Sequence, residues 1–443
     1  MGPFITGAGC ATRCSAVTQR FPGRELRVHD HILKHHRRQS RAVAPALITV
    51  AQARALVLSH AVALGAEPVP AQDTLDRVLA RDLRAAGPVP PLAASAMDGY
   101  AVSAGGAGRM LEVVGESRAG TPAGTAVVAG TAARISTGAV IPDGAEAVIR
   151  QEDVEVVGAG RIKLRTPVAS GANIRRAGED IRAGARVLRA GALIGPAELA
   201  VAVAAGARQL LVGRRPIVSV LCTGDELRAP GEPLPPGAIH NSNGPMLAAL
   251  ARRCGALVEP VQLLRDDRAA TETGLSAALE RSEVVIVSGG VSVGPHDHVK
   301  PALADLGAQK VFWGVALQPG KPVWFGTHGG TLVFGLPGNP VSAAVTFTLF
   351  AWPALRAMLG LPGADAPAQT ARLGVPVARN PGREQALRVR LERDAHGLTA
   401  SPTGPQASHI LSSLLGAQAL ALVPAGEGEL PAGSEVSLQP LPL

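Results

Sequence analysis

Seven carboxylates in this chain sit in loops. Asp98, Asp180, Asp225, Glu226, Asp266, Asp267 and Asp297 all lie in glycine-rich or turn-forming sequence, not on charged helix faces. Acids in loops commonly cap their own turns. Several converging beside an anion-binding loop would repel a phosphate unless Mg²⁺ lay between them. Two such loops are present. In SGGVSVG (288–294), Gly289, Gly290 and Gly294 let the backbone approach a ligand; the amides, Ser292 and the next helix's N-terminus can receive an anion. The pattern is neither GxGxxG nor the Walker loop, and a turn that merely needs glycine explains it as well. In LPGNP (336–340), Pro337 and Gly338 lead into Asn339 at a cap position and Pro340 at a first helical position. A well-capped helix is an adequate alternative account.

Two further features invite chemistry. His296-Asp297-His298 has the composition of a metal triad, but adjacent side chains rarely point at one centre, and zinc ligands are usually spaced further apart. Lys321 lies in a Pro-Gly loop of a chain with only five lysines among 43 basic residues. Keeping lysine there, in an arginine-biased composition, suits a site that wants a compact ammonium; chance is a fair competitor.

The surrounding pattern must hold these loops in place. From residue 216 the chain alternates strand and helix: PIVSVLCTGDEL, NGPMLAALARRCGA, LVEPVQLLRDD, AATETGLSAALERS, EVVIVSGG, HVKPALADLGA, VWFG, TLVFGLPGNP, and a long helix over 341–359. That rhythm predicts a mostly parallel sheet covered on both faces. Ligands of such sheets sit beyond the strands' carboxyl ends, where TGDEL, RDD, SGGVSVG and LPGNP all fall. Upstream, ITVAQARALVLSHAVAL predicts an amphipathic helix, and AQDTLDRVLARDL a second one capped by Asp73 or Thr74. Short valine-rich runs over 92–181 and after 366 predict β-structure. The expected fold is multidomain α/β plus β: a central, mostly parallel α/β domain (216–366) with β-rich domains on either side. These are a β-rich domain (92–181), a discontinuous helical/β linking domain (47–91 and 182–215) and a C-terminal small β-domain (367–443).

Bulk properties exclude some functions. Of the net charge of +8, +6 falls within residues 1–45, leaving +2 for the rest. With aromatics at 2%, stacking platforms for single-stranded nucleic acid are missing, and no nucleic-acid partner is expected. The uncharged run 340–355 is shorter than a bilayer span and contains Pro353, so a buried helix is expected and no membrane. Four unevenly spaced cysteines fit a reducing compartment, hence the cytoplasm. Residues 1–46 read as a disordered extension; the start MGPFIT fits only a loose acylation pattern.

Taken in order, SAMDGYAV (95–102), ISTGAVIPDGAEAVI (135–149), NIRRAGEDI (173–181), TGDEL (223–227), SGGVSVG, PGKP (319–322) and LPGNPVSA (336–343) resemble the molybdopterin molybdenumtransferase family, which includes the C-terminal domain of gephyrin. The resemblance runs from about residue 47 to the end. It implies an elongated homodimer that inserts molybdenum from molybdate into adenylylated molybdopterin, with Mg²⁺-dependent release of AMP. It also implies contacts with molybdopterin adenylyltransferase and molybdoenzymes. Carried over, Asp98, Thr137, Asp180, Glu226, Asp266 and Asp297 match active-site positions, with Glu226, Asp266 and Asp297 as Mg²⁺ ligands. Lys321, Ser342, Arg388 and Ser408 resemble molybdate-contacting positions. A dianionic oxometalate suits such cationic and hydroxyl donors; molybdate and tungstate, tetrahedral dianions of nearly equal size, are not told apart by them. Both histidines beside Asp297, and Ala407 where glycine is usual, depart from the family pattern. The alternatives are the related molybdopterin adenylyltransferase, whose loop usually continues from SGG into Thr-Gly, and a non-catalytic pterin-binding scaffold.

Overall fold

The computed structural model describes residues 47–292, 294, 297–363, 369–395 and 397–442. The N-terminal segment 1–46 and His296 lie outside the described residues.

The central sheet has seven strands: β1 (Ile217–Thr223), β2 (Leu257–Val258), β3 (Gln262–Leu264), β4 (Val284–Ser288), β5 (Gln309–Trp313), β6 (Trp324–His328) and β7 (Thr331–Leu336). Their order is β2–β1–β4–β7–β6–β5, with β3 also pairing β1. β1 runs parallel to β2, β3 and β4, and β4 parallel to β7; the last two strands are antiparallel. The stretch expected as one strand around Pro260 is therefore two, because proline cannot donate to the ladder.

Strand β4 is apolar without a break because both its faces are covered. Val284 and Ile286 join one core and Val285 and Val287 the other, as alternate residues of a strand must. The first core is covered by α1 (Asn243–Arg253) and α4 (Pro340–Thr346), the second by α2 (Arg268–Arg281) and α3 (Val299–Asp305). α4 continues through a π-helical turn, Phe347–Ala351, into α5 (Trp352–Met358). The wider turn lies just ahead of Pro353, which has no N–H to give. This segment, Pro340–Met358, is the one helix among the described residues long and apolar enough to cross a membrane. Most of it is buried inside the protein, as expected of a core helix.

The helix expected near residue 50 forms over Val50–His60, closed by a Thr49/Gln52 capping box. It places Val50, Ala53 and Val57 in the α/β core. The second expected helix does not form. Ala71–Asp73 makes a single 3₁₀ turn, Asp76 takes φ 60°, and Val78 and Leu79 bridge to Leu193 and Val212. Burial of Val78 and Leu79, with the buried Arg77 bonded to the Gly213 carbonyl at 2.9 Å, overrides the helical spacing. Strand pairing joins the two separated segments: Ala66–Pro70 with Gln209–Gly213, and Leu83–Arg84 with Arg186–Leu188.

Between them lies a six-stranded sheet in the order Ala147–Arg150, Gly99–Val102, Thr131–Ile135, Met110–Ser117, Arg161–Leu164, Val154–Val156. At the C-terminus, Glu384–Asp394, Gly397–Pro402, Gln369–Leu373, Glu435–Pro440 and Ala419–Val423 pair in sequence, and the last pairs back with the first. The result is a closed barrel. Leu317–Gln318 of the α/β domain adds in parallel to its Glu384 edge.

Candidate active site

The carboxyl ends of β1, β3, β4 and β7 deliver four loops to one cavity of about 700 Å³. Its walls carry Glu226, Asp266, Asp297, Gly289, Gly290 and Ser292, together with Pro337 to Pro340. The glycines are there for close approach. Gly289 and Gly290 take φ of 97° and 65°; a Cβ on Gly289 would stand 2.8 Å from the Thr223 carbonyl oxygen, and one on Gly290 2.6 Å from Val299 Cγ2. A Cβ on Gly338 would come within 3.8 Å of Gly289 Cα, so the two glycine loops run side by side.

At the head of α1, Asn243 ties these loops together and Asn241 braces the turn beside it. Asn243 Nδ2 donates to Ser288 Oγ (2.9 Å) and to the Gly338 carbonyl (2.6 Å). Asn241 Oδ1 accepts the Gly244 N–H at 3.0 Å. Asn243 Oδ1 is buried with no hydrogen-bond partner among the described residues. Sequence reasoning passed over both; the signal was two amides packed into "NSNGP" just before an apolar helix. Behind the SGGVS turn, Trp313 Nε1 donates to the Val291 carbonyl (3.0 Å), and Lys300 Nζ donates to the Ser292 carbonyl while lying 4.7 Å over the Trp313 ring.

The acids divide by role. Asp225 and Asp266 exchange side chain and backbone: Asp266 Oδ2 accepts the Asp225 N–H (3.3 Å) and Asp225 Oδ1 the Asp266 N–H (3.2 Å). Asp267 caps α2 by accepting the Ala270 N–H at 2.8 Å. Asp297 Oδ2 accepts the Gly294 N–H at 2.9 Å, closing the turn that carries Gly294. His298 precedes α3 without a side-chain capping bond. No three Asp, Glu, His or Cys side chains among the described residues come close enough together to form a ready metal site. Glu226, Asp266 and Asp297 are nonetheless hard oxygen donors around one cavity. That fits Mg²⁺, which usually takes one or two carboxylates and completes its shell with phosphate oxygens and water.

The other expected residues lie elsewhere. Asp98 and Thr137 meet on the six-stranded domain, where Asp98 Oδ1 accepts the Thr137 N–H at 2.6 Å. That bond, with the Thr137 hydroxyl, holds the Asp98 carboxyl below the usual carboxylate range. Asp180 sits exposed in a turn; none of the three lines the cavity. Lys321 is exposed, Ser342 is buried in α4, and neither is on the wall. Ser408 comes from the barrel to the cavity's edge: its Oγ accepts from Asn339 Nδ2 (3.1 Å) and its carbonyl from the Val341 N–H (3.3 Å). Arg388 is fully buried in the barrel. Its Nε donates to Ser413 Oγ (3.1 Å) and its Nη2 to the Pro405 and Ala407 carbonyls (3.4 Å each). Nη1 has no partner among the described residues, and burial pushes the guanidinium down to about 10.

A cavity at the carboxyl ends of parallel strands, walled by glycine turns and acids and flanked by strand-rich domains, defines a multidomain α/β protein with one large cleft at the top of its central sheet. Comparison with known proteins makes this specific. Residues 48–206 match the MoeA N-terminal region (domains I and II), 219–357 a probable molybdopterin binding domain, and 370–441 the MoeA C-terminal region (domain IV). The chain is 38% identical over 384 residues to molybdopterin molybdenumtransferase 2 of Mycobacterium tuberculosis, covering 84% of this chain and 94% of that protein. It is 31% identical over 422 residues to gephyrin of Dictyostelium discoideum, covering 84% of this chain and 58% of that protein. The crystal structure of the MoeA protein of Pyrococcus horikoshii superimposes with a TM-score of 0.75 at 32% identity, covering 90% of this chain and 99% of that one. The chain belongs to the molybdopterin molybdenumtransferase family, as a transferase of molybdenum cofactor biosynthesis. Matches on both sides of the central domain set aside the adenylyltransferase alternative.

Proposed function

We propose that the 700 Å³ cavity holds adenylylated molybdopterin, that molybdate enters beside Ser408, and that AMP leaves as molybdenum joins the dithiolene. One observation carries this reading: the SGGVS and LPGNP loops and the acids Glu226, Asp266 and Asp297 surround a single cavity whose edge meets the barrel at Asn339 and Ser408. The amides around Gly289 and Gly290 orient phosphate oxygens, and Asn243 fixes the spacing of the two loops that do so. Mg²⁺, held by Glu226, Asp266 and Asp297, supplies charge neutralisation on the phosphates when bound. Arg388, with an unpaired nitrogen and no carboxylate partner, supplies attraction for an oxyanion, assisted by Lys321, Ser342 and the Ser408 hydroxyl. Holding sulfur against metal lowers the barrier by positioning, with no strong protein nucleophile required.

The enzyme works as a cytoplasmic homodimer in this reading, exchanging substrate and product with molybdopterin adenylyltransferase and molybdoenzymes. Support for the dimer comes from Asp98, Thr137 and Asp180, which lie off the cavity of their own chain; a second copy can present them to it. The test uses two variants. Asp297→Asn keeps an acceptor for the Gly294 amide, so it should bind adenylylated molybdopterin normally and release no AMP. Mixed with Asp98→Ala chains, it should regain part of the activity, because one cavity of the mixed dimer is intact. Wild-type turnover in Asp297→Asn would refute its role. Mixed chains as inactive as the separate variants would refute the shared site, leaving the cavity reading to stand on the first arm.

A further inference from the structure

A second cavity, of about 560 Å³, lies at the opposite end of α1 from Asn243. The helix separates the two by roughly 16 Å, at 1.5 Å per residue. Asp76, Leu193, Arg215, the C-terminal end of α1, the segment from Trp352 to Leu361 and the residues around Leu441 form it. Arg215, Arg252, Arg253 and Arg356 line it, and Asp76 is the one acid on its wall. None of the four arginines is ion-paired to a carboxylate among the described residues. Arg215 Nε is buried there without a hydrogen-bond partner. Burial lowers the proton affinity of Arg215 and Arg77, close by, lowers it further, while Asp76 and Glu67 offset part of that. Arginines in a helix's last turn complement its dipole, which accounts for Arg252, Arg253 and Arg356 but not for Arg215.

We propose that this cavity binds a small polyanion bearing at least two negative charges on phosphate or carboxylate groups. Four like charges around one space repel each other, and the apolar part of the wall, including Trp352 and Leu359, strengthens their field. A bound dianion removes that repulsion. Guanidinium forks match carboxylate and phosphate geometry in pairs of hydrogen bonds. Arg356 lies 6.0 Å over the Trp352 ring, which helps hold that guanidinium at the cavity wall.

Calorimetric titration of the full chain in EDTA, at constant ionic strength, tests this with inorganic pyrophosphate and citrate as probes and chloride as reference. One polyanion per chain is expected, bound at least tenfold more weakly by Arg252→Gln/Arg356→Gln. Arg215→Gln, which leaves both helix ends intact, should weaken the same binding about tenfold. A preference for pyrophosphate assigns a phosphate ligand, and one for citrate a carboxylate ligand. Binding that survives both substitutions, or a response that follows ionic strength whatever the anion's valence, overturns the proposal.

Discussion

Replacing Arg388 with Met should separate the stability of the barrel from the capture of oxyanion. The guanidinium is fully buried, and burial pushes it well below the usual arginine value, down to about 10. At about 1.4 kcal/mol per unit, holding the charged form there costs roughly 3 kcal/mol. Against this stands one hydrogen bond of ordinary length, to Ser413 Oγ at 3.1 Å, and two long ones at 3.4 Å. A bond from a charged donor contributes about 1.5–3 kcal/mol, so the two sides nearly cancel. Arg388→Met, similar in length and uncharged, should therefore unfold in urea within about 1–2 kcal/mol of the wild type. In calorimetry it should bind molybdate at least tenfold more weakly. A loss of more than about 3 kcal/mol would show that the side chain is a structural tie, and unchanged molybdate affinity would show that its free nitrogen serves no anion.

Gly290→Ala should destabilise the protein by roughly 2–4 kcal/mol, from the positive φ and the contact with Val299. In a Val299→Ala background part of that loss should vanish; a loss that persists unchanged in the double variant would put the strain in the backbone and the contact with Thr223 Oγ1 instead. The Asp98 carboxyl should titrate by NMR below its usual 3.8, because the Thr137 amide favours its charged form. Its contribution to stability is thus present above 3.8 and lost as pH falls through the lowered folded value. Thr137→Val should raise that value only in part, since the backbone bond remains; a midpoint at or above 3.8 in the wild type would contradict the geometry. Chelation with EDTA should stop AMP release while moving the melting temperature by less than about one degree, because no preformed metal cluster holds the described residues together. A marked drop in melting temperature would point to a structural metal instead.

Local signals were strong where one element buries both faces or ends in a special turn. The run Val284 to Val287 reads directly as a covered strand, and the acids and glycines after β1, β3, β4 and β7 read as loops at one end of a sheet. Periodicity misled at residues 71–83, where a spacing of three and four matched a helix but distant strands supplied better partners for Val78 and Leu79. The strand Gln309–Trp313 went unforeseen, since it follows α3 with only a short turn and no alternation. Asn243 was invisible because its value lies in bridging Ser288 and Gly338, 45 and 95 residues away. The same distance hid the surroundings of Arg388: residue type alone says cation, and only packing says that it is buried with one nitrogen unpartnered among the described residues. The glycines of SGGVS had two readings of equal weight. In the structure they are needed for close packing, and they also line the cavity.

The join between Asn339 and Ser408 bears on how the family can change over time. Ser408 stands on a loop of a barrel with its own apolar interior, while Asn339 introduces a helix buried in the α/β core. Side-chain substitutions in the loop around Ser408 leave the apolar layers of the α/β domain in place, while His409 of the same loop stands on the cavity wall. If discrimination between molybdate and tungstate is set on the barrel side of that join, a lineage facing a new metal supply could retune the loop and inherit the rest unaltered.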